Sequence, residues 1–88
     1  MSAARALAAL QRQFNQNAVT CQALIAPAGR TAAGRAAFDK ATQAAIAAHA
    51  GLRANRDKGE HADITGLTRT INAYTAAVTA MRAVVGDG

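Results

Sequence analysis

Few residues of this chain could carry chemistry: Cys21, His49, His61 and the carboxylates Asp39, Asp57, Glu60, Asp63 and Asp87. A lone cysteine excludes an intramolecular disulfide and any metal site built from several thiolates. A helical metal pair needs its second ligand three or four residues away, and neither His49 nor Cys21 has a His, Cys or carboxylate at that distance. Nucleophilic catalysis needs a base beside the nucleophile, and no such pair stands together in the sequence. There is also no paired-carboxylate motif, no phosphate-cradling glycine loop and no HExxH. The expectation is a non-enzyme with no catalytic, cofactor-binding or metal site. His49 is then a buried or half-buried structural histidine, His61 is solvated in a turn, and Cys21 is a small buried hydrophobe.

The cations are the other chemically active group. Ten Lys and Arg against five acids give a formal charge of +5. Such an excess suits nucleic acid, an acidic surface or plain solubility. Arg5 and Arg12, seven residues apart, share a helix face, and Arg30, Arg35 and Lys40 follow the first turn. Arg53, Arg56 and Lys58 are partly neutralised by Asp57, Glu60 and Asp63. Phosphate recognition calls for a denser stripe, stacking aromatics or a helix-turn-helix pattern. A basic nucleic-acid-associated protein using Arg5, Arg12, Arg30 and Arg35 is therefore the alternative reading, and a protein partner is preferred.

The elements that position these residues are helices. "APAGRT" interrupts the chain around Pro27, and "NRDKGEHAD" interrupts it again near Gly59. The three remaining segments lack strand signals. The expectation is one all-α domain over residues 1–88, with helices at approximately 3–26, 32–57 and 64–85. Ser2, Thr31 and Asp63 stand where N-caps belong, Pro27 should end the first helix, and Gly86 suits the end of the third.

The third segment has the clearest seam. Ile64, Leu67, Ile71, Tyr74, Val78, Met81 and Val85 follow a 3-4-3-4-3-4 spacing. In the first, Leu7, Leu10, Phe14, Cys21 and Leu24 form a seam with Asn17 in the vacant slot, while Val19 and Ile25 lie off it. In the second, Phe38, Thr42, Ala45, Ile46, His49 and Leu52 project to one side, and Gly51 either bends the helix or admits a close neighbour. Short connections make neighbours antiparallel. The result is an up-down-up three-helix bundle with heptad-like packing, or an extended helical hairpin with a third helix.

The core is thin. Hydrophobic residues are 51% of the chain, but 26 of those 45 are alanine. The helix middles carry no charge: residues 13–29, 41–52 and 70–81 are all neutral. A solvated helix face usually carries charge, so these stretches are expected to lie against something. The expected interface comprises Ala44, Ala47 and Ala48, with Thr68, Asn72, Thr75 and Thr79 on the third helix. The function that follows is a non-enzymatic protein-interaction module: a small subunit of a homo-oligomer or of a larger assembly of viral, phage or secretion type. An inhibitor or adaptor of another protein is a further alternative. No apolar run reaches the roughly 18 residues of a membrane span. The expected location is the cytoplasm, a virion or another assembly.

Overall fold

Three caps start three helices. In the computed structural model, which describes residues 2–86, α1 spans Ala3–Ala28, α2 spans Ala32–Asn55 and α3 spans Ile64–Gly86, with a short 3-10 turn at Gly59–His61 before α3. The terminal carboxylate Asp87 lies outside the described residues, as do Met1 and Gly88. Ser2 Oγ accepts the Arg5 N–H at 3.3 Å, Thr31 Oγ1 accepts that of Gly34 at 2.9 Å, and Asp63 Oδ1 accepts that of Gly66 at 3.0 Å. Each satisfies one of the four N–H groups that a helix start leaves free.

Helix α1 continues through Pro27 instead of stopping before it. The ring removes a single i→i−4 bond in the last turn, where the helix has one more residue to run. The end is then closed by the Gly29 N–H donating to the Ile25 carbonyl at 3.1 Å, and by Arg35 Nη1 donating to the Gly29 carbonyl at 2.9 Å. Helix α2 ends two residues before its expected limit, because Asn55 turns its side chain to the joint. Asn55 Nδ2 donates to the Gly51 carbonyl and Asn55 Oδ1 accepts the Asp63 N–H, both at 2.8 Å. One buried amide thus ties the end of α2 to the cap of α3. Gly59 supplies the sharp reversal between them with φ 57°, a left-handed value that side chains disfavour. Asn55→Ala removes the amide that holds the Asp63 N–H and the Gly51 carbonyl in a part-buried joint and should cost about 1 kcal/mol in urea unfolding. A loss near zero would mean that water replaces the amide.

All three helices pack on one another in a rod 44 × 17 × 16 Å, which is the three-helix bundle and not the hairpin. Helix α3 forms the spine. Leu67, Ile71, Tyr74, Val78 and Met81 are buried, with Ile64 and Val85 packed at their ends. Helix α1 contributes Leu10, Cys21 and Ala28, with Leu7, Phe14 and Leu24 half-buried beside them.

Helix α2 differs from expectation. Its buried residues are Gly34, Ala41, Ala48, Leu52 and Asn55. At 100° per residue this face is rotated by roughly 75° from the expected one of Phe38, Thr42, Ala45, Ile46, His49 and Leu52, of which Leu52 is buried and Phe38 and Ala45 pack against the core. The reason is volume. The α3 side chains already fill the interior, so α2 must meet them with its smallest residues. A Cβ at Gly51 would stand 2.9 Å from Leu67 Cδ2, and one at Gly34 would collide with the Ala28 backbone. One face of the neutral stretch at 41–52 therefore lies against the chain's own core, with Ala41 and Ala48 fully buried there, while Thr42, Gln43, Ile46, Ala47, His49 and Ala50 are exposed.

Candidate functional site

The residues expected to form an interface separate into three groups. Ala48 is 0% exposed and Ala44 packs against the core, so neither presents a surface to another molecule. Ala47 is exposed. On α3, Asn72 and Thr75 bind α1 of the same chain. Gln13 Nε2 donates to Asn72 Oδ1 at 3.1 Å and to Thr75 Oγ1 at 2.9 Å, and Asn17 Nδ2 donates to Thr75 Oγ1 at 2.8 Å. The Thr75 hydroxyl then donates to the Ile71 carbonyl at 3.1 Å. Thr68 and Thr79 donate to the carbonyls of Ile64 and Thr75, four residues back on their own helix. The polar stripe of α3 is thus partly an internal joint. Asn17, the polar slot in the α1 seam, is buried and is matched by Thr75.

The weaker set, Arg5, Arg12, Arg30 and Arg35, is not gathered. Arg5 lies near the start of α1 and Arg30 just beyond its end, a separation of roughly 35–40 Å along the rod at 1.5 Å per residue. All four side chains are exposed, and Arg35 is engaged at the Gly29 carbonyl.

The feature that stands open is a groove between α1 and α2. It has a volume of about 530 Å³ and is lined by Phe14 and Cys21 from α1 and by Thr42, Ala45, Ile46, His49, Ala50 and Arg53 from α2. Its origin is local. Between Phe14 and Cys21 α1 contributes no lining side chain, and α2 contributes the small Thr42, Ala45 and Ala50. Phe14 forms part of its wall, with its ring centroid 5.4 Å from that of Tyr74 and 6.0 Å from that of His49. His49 is exposed at the groove instead of lying buried at the centre of an apolar face. Ile46 is 65% exposed, although the sequence pattern places it with the packing residues. Two further large apolar side chains stand open on α1, Val19 at 69% and Ile25 at 47%. Both are residues that lay off the seam, and that offset was the available signal.

The groove holds little reactive chemistry. Cys21 and His49 both line it, a juxtaposition that sequence spacing concealed. Burial pushes the Cys21 thiol up from its ordinary value, away from the thiolate that a nucleophile requires. Tyr74 is likewise pushed up, first by burial and then by Cys21. Among the described residues no three His, Cys, Asp or Glu side chains cluster as a metal site would require. Among the same residues no helix is long and apolar enough to cross a membrane. Set against known protein families, characterised proteins and solved structures, the chain matches none of them.

Proposed function

We propose that this chain is a non-enzymatic helical interaction module, a small subunit that docks through the α1–α2 groove into a larger assembly. One observation carries the reading. A bundle with few large side chains leaves Ile46 at 65% exposure beside an apolar groove of about 530 Å³. Scattered single apolar residues are ordinary on a protein surface. An exposed isoleucine on the wall of a groove, with an aromatic ring in that wall, marks a contact surface more strongly. The geometry also fits packing physics. Two adjacent helices present a furrow into which another helix lays its ridge, and filling it converts three helices into four.

The test is the solution mass of the chain over a wide concentration range, alone and after co-expression with tagged candidate partners. The reading expects a mass above the monomer, either from self-association or in a defined complex. A strict monomer at every concentration that recovers no stoichiometric partner would refute it.

A further inference from the structure

The groove has a charge as well as a shape, and the charge has one sign. Its one charged lining residue is Arg53, with the neutral His49 and Cys21 beside it. Nearer the start of α1 a second hollow between the same two helices is lined by Leu7, Ala8 and Gln11, with Leu52 and Arg56 opposite. No carboxylate lines either part. The two hollows, with one arginine each, together span Leu7 to Cys21 on α1, roughly 21 Å or four turns of a facing helix.

Building on the interaction reading above, we infer that the occupant is an amphipathic helix of another protein, with acidic residues flanking its apolar stripe. Helix-in-groove docking supplies the apolar part. Carboxylates beside the stripe would meet Arg53 and Arg56, and electrostatic match selects the partner and speeds its capture. A second copy of this chain suits the groove poorly. Its three helices contain a single acid between them, Asp39, so a copy would bring cations or neutral faces to a basic wall. Like charges set face to face oppose docking.

The probes are two fluorescein-labelled synthetic peptides of about 15 residues, the length that spans the furrow. Both carry leucines at helical i, i+4, i+7 and i+11 spacing. One is flanked by glutamates and the other by lysines. Fluorescence anisotropy against the full chain should give the glutamate peptide an affinity at least about tenfold tighter. Arg53→Glu with Arg56→Glu should remove most of that preference. Arg30→Glu with Arg82→Glu makes the same change of net charge at exposed sites away from the groove, and should leave the preference largely intact. Circular dichroism confirms that both double variants stay folded.

Equal binding of the two peptides, no binding of either, or equal loss in both double variants would each overturn the proposal. The outcomes also separate it from the broader reading. If neither peptide binds but Ile46→Glu abolishes the chain's own association, the module reading stands and the acidic-helix inference falls. If the chain binds no peptide and associates with nothing, both fall.

Discussion

Ile71→Asp should not fold. Ile71 is fully buried at the centre of α3, among Leu67, Tyr74, Val78 and Met81. The substitution forfeits the roughly 1.5–3 kcal/mol that a buried isoleucine contributes. It also places a carboxylate where no partner can meet it, and several kcal/mol more are lost that way. A chain this long has roughly 4–13 kcal/mol of stability in all. With a core so rich in alanine, the lower part of that range applies. Circular dichroism at 25 °C should show an unfolded or molten chain. A fully helical variant with the wild-type melting temperature would mean that the core lies on another face of α3.

The second large effect is a contrast between neighbours. Ala48 is completely buried, whereas Ala47, one residue earlier on α2, faces solvent. Ala48→Arg must force a long charged side chain between α2 and the core, and its cost is several kcal/mol from overpacking and desolvation together. Ala47→Glu should shift stability by no more than about 0.5 kcal/mol. Thermal unfolding of both variants at one concentration reads the difference. Two equally harmless changes would show that α2 does not press its alanines against the core. Two equally severe ones would show that something covers its outer face.

The contrast marks where sequence reasoning succeeds and where it fails. The apolar stripe of helix α3 could be read in full, because nothing competes with its large residues, whereas its polar stripe, expected to face a partner, joins α1 through Asn72 and Thr75. Helix α1 was legible apart from its end, which runs through Pro27, and from Asn17. Its role depends on Thr75, 58 residues further on, and such a pairing leaves no local trace. Helix α2 misled, because large apolar side chains are normally the ones that mark a core face. Here Ile46 points outward while Gly34, Ala41 and Ala48 are buried, since α3 had already taken the available volume. Alanine occurs on both faces of α2, so periodicity alone could not assign it. The absence of charge at 41–52 was read as a face covered by another molecule, whereas Ala41 and Ala48 lie in the chain's own core and Thr42, Gln43, Ile46, Ala47, His49 and Ala50 are exposed. The groove itself was illegible, because it brings together Phe14 and Cys21 of α1 with Ala45, Ile46 and His49 of α2, residues far apart in the chain.

The proposal that the α1–α2 groove is a contact surface, and not unfinished core, is tested most directly by Ile46→Glu with stability and association measured on the same sample. Ile46 is largely exposed in the chain itself, so the melting temperature of the isolated monomer should move by little, within about 0.5 kcal/mol of stability. Association, read as solution mass or as partner recovery, should weaken roughly tenfold or more, because the carboxylate would be desolvated beside Phe14 and Ala45 when the groove is covered. Lower monomer stability with association intact is the contrary result. It would place Ile46 in the chain's own core and remove the groove as the binding face.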